Sequence, residues 1–138
     1  MAKILFIDDD MKKLQFFVEF LKLEGYEVDY VESDIEATEY IKSSKDFIDL
    51  VILDVIMPSK HYTREQTGAY RRTGIIYYTK ITDMIPNVPI LVMTVIDDDE
   101  ELEKQVLKMG AQAYLKKGKI SPTALSEKIK NILSKAVI

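Results

Sequence analysis

Short apolar runs that stop on an acid or a hydroxyl recur along this chain, and between them the apolar period turns helical. Lys3-Ile-Leu-Phe-Ile7 runs into Asp8, Asp9 and Asp10, Asp49-Leu-Val-Ile-Leu53 into Asp54, and Pro89-Ile-Leu-Val-Met93 into Thr94. Continuous runs of this length suit strands buried on both faces, which is the condition of a parallel sheet. Tyr26–Val31 and Ala113-Tyr-Leu115 read as two further strands. Leu14, Phe17, Val18 and Leu21 form the stripe of a helix ended by Gly25, and Ala37, Tyr40 and Ile41 continue a helix opened by Ser33 and Glu36. Leu102, Val106 and Met109 mark another, stopped by Gly110, and Ser121 with Pro122 opens a last one carrying Leu125, Ile129, Ile132 and Leu133. Alternating units of strand and helix predict one α/β domain over 1–138, a doubly wound parallel sheet with helices on both faces.

Composition narrows the function classes. The 138 residues hold no cysteine, so disulfides and thiolate metal sites are excluded, and a reducing, cytoplasmic setting is expected. No apolar run approaches the roughly 18 residues of a membrane span. The net charge of −4 argues against nucleic-acid binding by the chain as a whole. One stretch departs from this balance. Residues 59–73, between Pro58 and a helix expected near Gly74, contain all three arginines (Arg64, Arg71, Arg72), Lys60 and the only histidine, His61, for a net +3. Connections in α/β units usually take about 2–6 residues, so this reads as a basic insert after the third strand. It is too short and isolated to serve as a nucleic-acid site. Its arginines suit phosphate pairing, and it is expected to act as a lid or docking arm unless it is simply a solvated loop.

Ligands of open parallel sheets bind beyond the carboxyl ends of the strands. Here those ends carry Asp8, Asp9, Asp10, Asp54, Thr94, Lys116 and Lys117. Clustered carboxylates repel, and one of them resists ionisation unless a cation arrives. Oxygen donors without His or Cys suit Mg²⁺. A lysine and a hydroxyl facing the same place suit an anion, and a carboxylate there can itself attack a phosphoryl group. Any one of these acids alone is an ordinary turn or cap residue; their joint occurrence at successive strand ends carries the functional reading.

Ile4-Leu-Phe-Ile-Asp-Asp-Asp10, Asp49-Leu-Val-Ile-Leu-Asp-Val-Ile-Met-Pro58, Pro89-Ile-Leu-Val-Met-Thr94 and Gly110-Ala-Gln-Ala-Tyr-Leu-Lys-Lys117 resemble the response-regulator receiver domain over nearly the whole chain. The resemblance implies a flavodoxin-like (βα)5 fold with strand order 2-1-3-4-5, for which a receiver is a standard example. It implies that Asp54 is the phospho-acceptor and that Asp9 binds Mg²⁺ directly. Asp8 would act through water, and the backbone carbonyl of Ile56 would be a further ligand. Thr94 would be the switch hydroxyl, Lys117 rather than Lys116 the lysine pairing with Asp54, and Tyr114 the aromatic whose rotamer reports activation. Asp10 would be an exposed companion acid.

The implied function is a two-component relay. A histidine kinase or phosphotransfer protein supplies the phosphoryl group, and a downstream protein target or a fused output domain reads the result. Such a domain is no enzyme beyond catalysing its own phosphorylation and dephosphorylation. Val95 after the switch threonine, Gly118 in place of the family's proline, and the insert all depart from the pattern. They favour the alternative of a phosphorylation-independent interaction module. A hydrolytic aspartyl phosphatase would want an acid where Ile56 stands, which argues against that class. Among other features, the acids of Asp97–Glu101 are expected to cap a helix, His61 to be solvated, and Phe16, Phe17 and Phe20 to be core residues with one exposed for a partner helix.

Overall fold

A computed structural model describes residues 2–55, 67–94 and 100–136, with the side chains of 67–73 and 136 left aside. Strands β1 (Lys3–Ile7), β2 (Glu27–Val31), β3 (Leu50–Leu53), β4 (Ile90–Thr94) and β5 (Ala113–Lys116) alternate with helices α1 (Gln15–Leu23), α2 (Asp34–Ser44), α3 (Thr67–Met84), α4 (Glu100–Lys108) and α5 (Pro122–Ala136). All strand pairs are parallel, in the order β2-β1-β3-β4-β5. This is the flavodoxin-like arrangement expected from the sequence.

Side chains of a strand alternate between faces, so each central strand feeds two cores. Leu5, Ile7, Val51 and Leu53 face α2, α3 and α4, meeting Ile41, Tyr78, Ile81, Leu102 and Val106. Ile4, Phe6, Leu50 and Ile52 face α1 and α5, meeting Phe17, Val18, Leu21, Leu125 and Ile129. Each fully buried aliphatic side chain contributes about 1.5–3 kcal/mol relative to exposure, which is why the runs are unbroken in β1, β3 and β4.

The local signals account for most helix ends. Ser33 Oγ accepts from the Glu36 N–H at 3.1 Å, and Ser121 Oγ accepts from the Ala124 N–H at 3.1 Å. Glu36 closes back on the N–H of Glu32, one residue before the cap itself. Gly25 and Gly110 follow α1 and α4 as expected.

Three expectations are corrected. Helix α3 begins at Thr67, seven residues before Gly74, so 67–73 is helix and not loop. Thr67, Gly68, Thr73 and Gly74 are weak helix formers without an apolar period, which hid this part of the helix. Gly74 instead serves close packing, because a Cβ there would stand 3.0 Å from the Val55 carbonyl oxygen. Met109, read as a helix-face residue, is 42% exposed because α4 has already ended. Phe20 is only half-buried, whereas Phe17 is core and Phe16 is exposed. Of the insert, residues 59–66, with His61 and Arg64, lie outside the described residues. So do Ile56, Val95 and Asp97–Asp99.

Candidate functional site at the carboxyl ends of the strands

The sheet's own hydrogen bonds run one residue past the strands and fix the site. The Asp8 N–H donates to Val31 O at 3.1 Å, the Asp54 N–H to Ile7 O at 2.9 Å, and the Lys117 N–H to Thr94 O at 2.8 Å. The side chains that follow β1, β3 and β5, and Thr94 at the end of β4, are thereby set at one end of the sheet on rigid backbone.

Asp8 and Asp54 are both 2% exposed, which would be costly for unpaired carboxylates. The Lys117 ammonium lies between them. It donates to Asp54 Oδ2 at 3.0 Å and pairs with Asp8 Oδ2. Burial opposes the charge on Lys117, but Asp54 and Asp8 outweigh it and hold the ammonium above its ordinary pKa. Asp8 Oδ1 also accepts from the Asp10 N–H at 2.9 Å, which ties the acidic turn together. Asp10 points its carboxylate to Lys13 at 3.3 Å, with its side chain 45% exposed, as expected for a companion acid.

Asp9 is the acid whose burial is only partly offset, by the charge of Lys117 and its own backbone N–H. Its Oδ1 is buried and has no hydrogen-bond partner among the described residues. Burial, followed by the negative charge of Asp8, pushes its carboxyl above the ordinary carboxylate range. Carboxylate oxygens of Asp8, Asp9 and Asp54 lie within 4.8 Å of one another. An orphaned buried oxygen within an all-oxygen donor set fits a hard divalent cation such as Mg²⁺, and a cation there would relieve the repulsion that raises Asp9.

Thr94 is fully buried at the end of β4, and its Oγ1 likewise lacks a partner among the described residues. A buried hydroxyl left unpaired costs about 1–3 kcal/mol, which marks Thr94 as a polar group that packing alone does not explain. Tyr114 is partly buried and packs against the core shared by α3 and α4. Gly118, just past Lys117, takes φ +82°, a left-handed conformation that glycine adopts without strain.

The structure brings Asp8, Asp9, Asp54 and Lys117 together and places Thr94 at the end of the strand between β3 and β5. The family resemblance implies a pairing of Lys117 with Asp54 alone. Its bridging role to Asp8 has no sequence signal beyond proximity of two strand ends. Sequence reasoning also passed over Tyr77, whose hydroxyl is buried on α3 without a partner among the described residues. Its only signal was a polar-tipped aromatic one turn after Gly74.

The profile of the response regulator receiver domain matches residues 4–130. The chain is 28% identical over 137 residues to a CpxR transcriptional regulatory protein homolog of Haemophilus influenzae, covering 99% of this chain and 52% of that one. It is 30% identical over 118 residues to the CpxR transcriptional regulatory protein of Escherichia coli K12, covering 85% of this chain and 43% of that one. The chain thus spans about half the length, or less, of these curated relatives. Among solved structures, a CheY-like response regulator receiver domain protein from Methanospirillum hungatei superposes with a TM-score of 0.78 at 26% identity, covering 99% of this chain and 96% of that one. A two-component response regulator from Clostridium difficile gives 0.78 at 30% identity, covering 98% of both. Fold, strand-end constellation and these likenesses agree: the chain belongs to the response regulator receiver domain family of two-component systems.

Proposed function

We propose that this domain accepts a phosphoryl group on Asp54 in a Mg²⁺-dependent reaction and signals the change to a partner protein. The observation that carries the reading is the Lys117 ammonium bridging buried Asp54 and Asp8 beside the orphaned oxygen of Asp9. A carboxylate held in that position is both neutralised and aimed. The donor is a phosphohistidine of a histidine kinase or phosphotransfer protein. An Asp54 oxygen forms the bond to phosphorus, the P–N bond breaks, and the imidazole leaves with the electron pair and is protonated. Asp8, Asp9 and Asp54, with the Ile56 backbone carbonyl, would hold Mg²⁺, which supplies charge neutralisation for the incoming phosphoryl oxygens. Lys117 moves its hydrogen bond from the carboxylate to the phosphoryl group, an electrostatic clamp that needs no large rearrangement.

Thr94 then donates its free hydroxyl to a phosphoryl oxygen. That new bond distinguishes two states, and Tyr114 on the neighbouring strand carries the difference to the face made by α4, β5 and α5. A downstream protein, or an output domain on the same polypeptide, reads that face. Among the described residues no helix is long and apolar enough to cross a membrane. We place the reaction in the cytoplasm, in keeping with a chain that contains no cysteine.

Treatment with acetyl phosphate tests this by intact-mass spectrometry, with Mg²⁺ or with EDTA. One phosphoryl group should be gained in Mg²⁺ and essentially none in EDTA, and backbone amides across 100–133 should shift in the phosphorylated sample. No added mass, or equal labelling without the metal, overturns the reading and favours an interaction module that works without phosphorylation. Amide shifts limited to the loop after Asp54 would overturn the switch.

A further inference from the structure

Tyr77 is a buried polar side chain that the reaction just described leaves unused. It is 7% exposed, belongs to the core between the sheet and α3, and its hydroxyl has no hydrogen-bond partner among the described residues. A buried orphaned hydroxyl is a cost that a phenylalanine of nearly the same shape would avoid. Three observations place it towards the phosphorylation site. Gly74, one helical turn earlier on α3, packs against the Val55 carbonyl, directly after Asp54. Helical side chains lean towards the helix N-terminus, and α3 begins at the site end of the sheet, so a residue one turn down leans back towards that end. One turn further, Lys80 behaves in the same way, its ammonium reaching Asp34 at the start of α2 at 3.0 Å. The electrostatics agree. Burial first, and then the charges of Asp34 and Asp54, hold the phenol well above its ordinary pKa, so it stays a donor at neutral pH.

We propose that Tyr77 is a positioning residue for the phosphorylated state, its hydroxyl donating a hydrogen bond to the phosphoryl group on Asp54. The inference rests on Asp54 being the acceptor. In the resting domain Asp54 Oδ2 already accepts from Lys117 at 3.0 Å. Phosphorylation adds acceptor oxygens and negative charge on the side of the site where α3 begins, and the orphaned phenol gains its partner. Tyr77 thus complements Thr94: among the described residues both buried hydroxyls lack a partner at rest, one from β4 and one from α3.

Fluoroberyllate, a tetrahedral anion that occupies the phosphoryl position on a carboxylate, gives an equilibrium test. It is titrated at saturating Mg²⁺ into wild type, Tyr77→Phe and Tyr78→Phe, with Mg²⁺ affinity and metal-free thermal unfolding measured alongside. A hydrogen bond to a charged group predicts binding about tenfold weaker in Tyr77→Phe. Mg²⁺ affinity should be unchanged, and the metal-free midpoint unchanged or higher, since the variant removes an unpaired hydroxyl. Tyr78→Phe, altered at the adjacent buried ring, should bind like wild type. Equal affinity in Tyr77→Phe, equal weakening in Tyr78→Phe, or a loss matched by lost Mg²⁺ affinity overturns the proposal while leaving the acceptor role of Asp54 standing. Wild type that does not bind fluoroberyllate overturns both.

Discussion

Asp9→Ala is expected to abolish Mg²⁺ binding and, in metal-free protein at neutral pH, to raise the unfolding midpoint. Both effects have one cause. Burial and the charge of Asp8 push the Asp9 carboxyl above its ordinary value of 3.8. A carboxylate whose folded pKa is raised costs stability wherever it is forced to ionise, that is, above its folded pKa. The cost fades as pH falls and is gone below the unfolded value. The variant's advantage should therefore be present at pH 7 and vanish in acid. Asp9 is partly hydrated, so the gain should be small but of definite sign. Wild type should gain stability on adding Mg²⁺, and the variant should not. Thermal unfolding with and without the metal measures both. A midpoint lowered in the metal-free variant, or an undiminished response to Mg²⁺, would show that Asp9 is structural.

Lys117→Ala should be the most damaging single change at the site. It strands two carboxylates that are 2% exposed. Removing one partner of a buried charge cluster typically costs about 3–5 kcal/mol, because the remaining charge keeps its desolvation penalty. The pH dependence has a definite sign. The folded pKa of Lys117 is raised, so its contribution is complete below 10.5 and is lost as pH rises through the folded value. In the variant Mg²⁺ should restore part of the deficit at neutral pH, since a cation can take over the charge that the ammonium neutralised. Urea unfolding at pH 7.5, with and without Mg²⁺, reads these differences. A loss below about 1 kcal/mol at pH 7.5 would mean that water already solvates the two acids.

What could be read from the sequence follows from how strongly burial writes itself into residue choice. β1, β3 and β4 are covered on both faces, so Ile4-Leu-Phe-Ile7, Leu50–Leu53 and Ile90–Met93 admit only apolar residues and stand out. Their ends were equally legible, since Asp8, Asp54 and Thr94 interrupt the runs where the strands leave the core. The start of α3 was not legible. Thr67 to Gly74 holds two glycines and two threonines in eight residues, and local preference there argues against the helix that forms. The site's charge pairing was half legible. That a lysine after β5 meets an acid after β3 is what the family resemblance implies, but only the geometry shows one ammonium shared between Asp54 and Asp8. Tyr77 escaped because an aromatic at helical spacing looks like core, and its ring is core; only its hydroxyl is out of place.

The central claim is that Asp54, and no other acid of the cluster, receives the phosphoryl group. Borohydride reduces an acyl phosphate to an alcohol and leaves free carboxylates untouched, so it marks the acceptor covalently. Wild type and Asp54→Asn would be treated with acetyl phosphate in Mg²⁺, reduced, digested and sequenced by tandem mass spectrometry. Conversion of the side chain at position 54 in wild type, with no conversion at any acid in Asp54→Asn, is the predicted result. Conversion at Asp8, Asp9 or Asp10, or equal conversion in the variant, would contradict it.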